Sequence, residues 1–309
     1  MKSHHHIWYI LTLAFFSCQD SNKLNLPAPL TKIVINGLLV ANESPKVYVG
    51  KTWAVTDFTP AQTYYENAQV QLWENDILIG ILTLKNGFYE SAKVLIKPKK
   101  SYIIRVEVPN VGKAESKPVV IPPDIETMQI VLNPNIKWVT REILIRKPVL
   151  IQLFIKKPAN SSDYLVTSAL GFKDENKIIF SNLTTENVEI SSSSLDFNGS
   201  NCYSLFPELS GIEYKRSIGY NIACFTGQTK EIGLVIDKIG QLGINSVEAN
   251  FVRVYVAVYA AEYLQYAKAA QAIEGADNAF IETKPTYSNI IGGIGFVTAV
   301  NKKDTTLRL

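Results

Sequence analysis

The sequence predicts a mostly β protein: a β-sandwich, then a second β-rich body with one helix close to its end. Three observations carry this. Between residues 31 and 123, β-branched and aromatic runs recur roughly every 8–12 residues with turn residues between them, and helical periodicity is almost absent. Beyond the prolines at 118, 122 and 123 the strand-like runs resume and continue to residue 260. At Ala261 the composition switches to Ala, Gln and Leu without Pro.

The elements follow in order. Residues 1–17 read as a signal peptide: Lys2 gives a positive start, and IWYILTLAFF (Ile7–Phe16) is an apolar stretch too short to span a bilayer as a helix. Ser17 and Cys18 follow, and the chain turns polar at Gln19 and Asp20. A small residue directly before Cys resembles the bacterial lipobox, although Phe15 and Phe16 stand where that motif has Leu and a small residue. The resemblance implies cleavage before Cys18, a diacylglyceryl group on its thiol and an acyl chain on the new N-terminus, enough for stable anchoring. Residues 18–30, including NKLNLPAPL, are a polar tether.

Residues 31–123 form the first domain. KIVINGLL and KVYVGKTW are β-rich. Asn67–Leu84 reads as a hairpin about Asn75-Asp76, and Asn86-Gly87 is a second turn, because these residues tolerate positive φ. SYIIRVEV (Ser101–Val108) follows the basic turn 97–100. Residues 124–309 form the second domain. Its strands are ETMQIVLN, REILIRKPVLIQLFIKK, DYLVTSALGF, KIIFSNL, IGYNIACFTG and KEIGLVIDKI. NFVRVYVAVYA (Asn250–Ala260) is apolar on both faces, as a central strand requires. AEYLQYAKAAQAIEGA predicts a helix over 261–275 that Gly275 ends. TYSNIIGGIGFVTAV closes the chain: its glycines exclude a helix and permit positive φ or close backbone approach, feeding Phe296–Val300 into a sheet as a final strand.

Composition removes several chemistries. Lys+Arg 31 against Asp+Glu 28 is near balance, so no basic face points to nucleic acid. The three histidines are His4, His5 and His6, all inside the leader, so the mature chain has no imidazole base and no His-ligated metal. No catalytic residue, cofactor or metal ligand is assigned. Carboxylate pairs such as Asp124/Glu126, Asp174/Glu175 and Glu186/Glu189 lie at turns and read as solvated charge. Asp196, Asn198 and Asn201 are the nearest approach to a calcium loop, and GGIG lacks the Lys-Ser/Thr of a phosphate loop. With Cys18 lipidated, Cys202 and Cys224 remain; in an oxidising compartment they are a candidate disulfide, with two buried free thiols as the alternative. Tyr64-Tyr65, near Trp53 and Phe58, either cap the core or form an aromatic loop for glycan or protein contact.

The closing residues carry a family resemblance. Tyr263, Tyr266, Pro285, Tyr287-Ser288-Asn289-Ile290, Gly292, Gly293, Gly295 and Phe296 resemble the end of a Bacteroidota outer-membrane lipoprotein family, a domain of unknown function (DUF4249). Asn67-Ala68-Gln69-Val70, Asn86-Gly87-Phe88-Tyr89 and Ser101-Tyr102-Ile103-Ile104 are similar to its first domain, an immunoglobulin-like or carboxypeptidase-regulatory-like sandwich. The resemblance implies a non-enzymatic, lipid-anchored outer-membrane protein exposed at the cell surface. It would serve as accessory or binding subunit of an outer-membrane β-barrel, a TonB-dependent transporter before the barrel-assembly machinery. The alternative is a stand-alone surface lipoprotein that binds a glycan or a peptide.

Overall fold

The computed structural model describes residues 31–52, 64–133, 148–157, 164–174, 177–178, 203–206, 217–225, 228–237, 239–242, 245–263, 265–266 and 287–309. Within them the protein is built almost entirely of strands, as expected.

The first body opens with β1 (Ile33–Val40), β2 (Lys46–Lys51), β3 (Gln69–Glu74), β4 (Ile77–Lys85) and β5 (Phe88–Glu90). Next come β6 (Ser101–Val108), β7 (Gly112–Ser116) and β8 (Val119–Val120). Its turns are those expected: Asn75 and Asp76 sit at φ 46° and 66°, and Asn86 and Gly87 at 51° and 80°. One leaf runs β1-β2-β5-β4; the other runs β4-β3-β6-β7, so β4 joins the two. Alternate residues point inward, and Ile35, Leu39, Val47 and Val49 meet Val70, Leu72, Ile104 and Val106 in one core.

The second body comprises β9 (Thr127–Asn133), β10 (Pro148–Lys156), β11 (Tyr164–Asp174), β12 (Lys177–Ile178) and β13 (Tyr203–Phe206). It continues with β14 (Ser217–Asn221), a 3-10 turn (Ile222–Cys224), β15 (Thr229–Asp237), β16 (Ile239–Leu242), β17 (Asn245–Glu248) and β18 (Phe251–Tyr259). A three-stranded sheet, β15-β10-β9, covers one face of β11 and β18. The strand predicted to be central is central: β11 and a later strand flank β18. Val252, Val254, Val256 and Val258 face the three-stranded sheet, while Tyr255, Ala257 and Tyr259 face a separate cluster.

The chain ends in β19 (Ile290–Ile291) and β20 (Ile294–Arg308). The final strand is far longer than the Phe296–Val300 segment expected from sequence. It also crosses the proline boundary in space. Ile294–Val300 pairs in parallel with Val34–Val40 of β1, and Val300–Arg308 pairs antiparallel with Tyr259–Phe251 of β18. One strand therefore completes both bodies and merges them in a single 15-stranded sheet. Val297 and Ala299 fill the first core, while Phe296 and Val300 face the opposite way. Of the predicted helix, residues 261–263 and 265–266 are helical, and the remainder lies outside the described residues.

Candidate functional site

The described closing residues that carry the family resemblance converge where the two bodies join; Pro285 lies outside the described residues. The chain leaves β18 at Tyr259 and turns, with the Ala260 N–H donating to the Ala299 carbonyl. The helical turn then places Tyr263 four residues on, so its ring stacks on Tyr259 at 4.1 Å. Tyr266, on the same turn, stacks on Phe296 of β20 at 4.5 Å, and Tyr287 meets Phe296 edge-on at 5.8 Å. The Tyr255 and Tyr259 hydroxyls lie 3.4 Å apart within this cluster.

Three asparagines frame it. Asn289, 1% exposed, accepts from the Val297 N–H at 2.9 Å and donates to the Val297 carbonyl at 2.7 Å. Its amide takes the place of a neighbouring strand, so β20 offers no open backbone at that point. The Asn36 side chain accepts from the Phe296 N–H, and buried Asn301 donates to Pro122 O and to the Asp124 carboxylate, pinning the interdomain proline segment to β20. The glycines are equally committed. Gly292 has φ +75°, and a Cβ there would sit 2.5 Å from the Lys113 carbonyl; Gly295 has φ +120°, and its Cβ would strike the Ile35 carbonyl.

Burial holds the phenols of Tyr259 and Tyr263 well above their ordinary pKa, with neighbouring tyrosines adding to it in both. Burial raises Tyr287 too, helped by the Glu262 carboxylate. All three keep their protons at neutral pH, so the cluster presents no phenolate nucleophile. It is an aromatic wedge in an asparagine frame, suited to fixing one body against the other.

The family model described as "Domain of unknown function (DUF4249)" matches residues 20–306. This chain belongs to that family. No curated protein matches it. Among solved structures, a mutant of Salmonella alpha-2-macroglobulin is 10% identical with a TM-score of 0.25, covering 92% of this chain and 15% of that one. The same protein reacted with methylamine gives 9% identity and a TM-score of 0.23, covering 75% of this chain and 14% of that one. The DUF4249 chain thus spans about 15% of the length of the solved chain it matches first.

Other expected sites in the DUF4249 chain are distributed differently. Cys18 and Cys202 lie outside the described residues, and Cys224 ends the 3-10 turn. Tyr65 packs against the first core, its carbonyl accepting from the Tyr89 hydroxyl at 2.6 Å, so it is a core cap and not an exposed contact. Tyr64 is half-buried and bridges Gly50; Trp53 and Phe58 lie outside the described residues. Asp124 is held by Asn301, while Glu126 pairs with Lys156 at 2.8 Å, so these acids do not converge as a catalytic pair. Glu175, Glu186, Glu189, Asp196, Asn198 and Asn201 lie outside the described residues. Among the described residues no three His, Cys, Asp or Glu side chains group as metal ligands.

A second constellation escaped the sequence reading. On the outer face of β3, β6 and β7, a groove of about 350 Å³ is lined by Gln69, Gln71, Arg105, Glu107, Lys113 and Glu115. Strand register builds it in two rows: Gln71 opposite Arg105 and Arg105 opposite Glu115, then Gln69 opposite Glu107 and Glu107 opposite Lys113. Gln69 and Gln71 in QVQLWE, and Arg105 and Glu107 in SYIIRVEV, were the available signal, but polar residues at alternate positions mark any solvated sheet face.

Proposed function

We propose that this protein is a non-enzymatic lipoprotein of the outer membrane of a Bacteroidota bacterium, displayed at the cell surface. It acts as accessory or binding subunit of an outer-membrane β-barrel, a TonB-dependent transporter in the first instance. The observation that carries the reading is that the described residues of the family's closing segment form a buried joint of stacked aromatic rings, whose phenols keep their protons at neutral pH. Such a joint supports presentation: an acyl-modified Cys18 would set the position, the tether the reach, and β20 would lock the two bodies so that their loops act as one rigid surface. The test is mass spectrometry of the native N-terminal peptide together with purification from native membranes in mild detergent. A lipid-modified Cys18 and a co-purifying barrel are expected. An unmodified Cys18, or a clean preparation without any barrel, would defeat the proposal.

The polar groove favours a second reading, in which the lipoprotein binds a glycan or peptide by itself. A Cys202–Cys224 disulfide belongs with either reading, because both need an exported chain. Non-reducing peptide mapping would reveal it.

A further inference from the structure

We propose that the outer face of β3, β6 and β7 is a binding site for a neutral oligosaccharide. This deepens the binding reading above and rests on it. The groove's charge identifies the ligand class. Two cations, Arg105 and Lys113, stand beside two carboxylates, Glu115 and Glu107, at 2.9 and 3.0 Å, with Gln69 and Gln71 completing the lining. An anion entering the groove meets both glutamates, and a cation meets both basic groups. A neutral polyol suffers neither, since each hydroxyl can donate to a carboxylate and accept from an ammonium, guanidinium or carboxamide N–H.

Two features orient these groups beyond what a solvated salt-bridge ladder needs. The Arg105 guanidinium lies over the Trp73 ring, 4.2 Å from its centroid, while its Nε donates to Glu115. The Trp73 indole N–H donates to the Gln71 carboxamide oxygen at 3.1 Å. One tryptophan thus fixes the planes of two polar side chains in adjacent strands and leaves the Gln71 NH2 and the outer guanidinium nitrogens to donate outward. The ion pairs themselves are half-exposed, Arg105 at 38% and Glu115 at 41%, so they are weak and exchange partners readily.

The ends of the row are apolar. Ile81, opposite Gln71, is 55% exposed, and Ile291, opposite Glu115, is 54% exposed. They give walls for the C–H faces of sugar rings, and strand rows about 4.8 Å apart repeat on the scale of one ring. A peptide adding as an extra strand is disfavoured. The edge of β7 is already taken by β19 at Glu115 and Ser116, and the Gly292 backbone lies against the Lys113 carbonyl.

The test applies the detergent-solubilised full chain to an array of neutral oligosaccharides, their uronic-acid and sialylated counterparts, and peptides, followed by calorimetric titration of the best ligand. Binding to a neutral oligosaccharide is expected. Arg105→Ala and Gln71→Ala should each raise its Kd about tenfold, by leaving a sugar hydroxyl unpaired, with the melting temperature nearly unchanged. Lys85→Ala, on the other leaf, should bind like the parent. Failure to bind any neutral sugar, binding only to charged sugars or to peptides, or wild-type affinity in both groove variants would overturn the proposal. Barrel co-purification is read separately, so a chain that carries a barrel and binds no sugar loses this inference alone.

Discussion

The closing segment 287–300 and the groove on β3, β6 and β7 use polar residues in opposite ways. In the closing segment the Asn289 side chain is buried, and both its polar atoms are satisfied by the Val297 backbone. In the groove Arg105 pairs with Glu115 and Lys113 with Glu107, near the surface, where pairs are cheap to break. The first arrangement makes a joint and the second makes a surface that can change partners. Family-specific residues therefore mark how the molecule is held together. The charged residues suited to touching a ligand, Arg105, Glu107, Lys113 and Glu115, lie elsewhere and outside the segments that carry the resemblance.

The contrast predicts large effects on one side. Deleting 294–309 removes the partner of both β1 and β18, and should abolish cooperative unfolding of both bodies by circular dichroism, not of the second alone. A first body that kept a cooperative transition would show that β20 only decorates it. Gly295→Ala should come next, costing about 3 kcal/mol, because positive φ and a clash with the Ile35 carbonyl act together. Asn289→Ala leaves the Val297 N–H and carbonyl without partners and should cost about 2–3 kcal/mol in a denaturant titration.

Much of this was legible in the sequence, for local reasons. Asn75-Asp76 and Asn86-Gly87 announce their turns because positive φ is a property of those residues themselves. Val254–Val258 announces a central strand because burial on both faces leaves no charged position. The course of β20 was not legible. Pairing with β1 joins Ile35 to Gly295 across nearly the whole chain, and nothing local in IGFVTAVNKKDTTLR says that its two halves serve different neighbours. Its second half is charged and polar, without the apolar run of its first. Only the folded chain shows Lys302 pairing with Glu43 at 2.8 Å and Arg253 reaching diagonally to Asp304 at 3.7 Å. The groove stayed hidden because Trp73 and Arg105 meet only once β3 and β6 are in register.

The buried phenols sharpen the joint further. Tyr259 and Tyr263 titrate higher in the folded chain than the value of about 10 they have when unfolded. Above pH 10 the unfolded chain releases protons that the folded chain retains. Their contribution to stability is therefore complete below about pH 10 and falls as pH rises past it. Thermal unfolding followed at rising alkaline pH should show the melting temperature dropping steeply there, with tyrosinate absorbance appearing together with unfolding. Early absorbance equal to the full tyrosine content would mean the cluster is open to solvent.

The smallest expected change lies in the groove. Arg105→Ala removes a half-exposed ion pair to Glu115 and a guanidinium stacked on Trp73. Exposed pairs and exposed cation–π contacts each contribute a fraction of a kcal/mol, so the melt should shift by no more than about 1 kcal/mol in stability. Asn289→Ala removes a similar number of hydrogen bonds and should cost two to three times as much, because the groups it abandons are buried and water cannot replace the lost partner. If the two variants proved equally destabilising, Arg105 would belong to the framework, and the division between a joint that holds and a face that touches would fail.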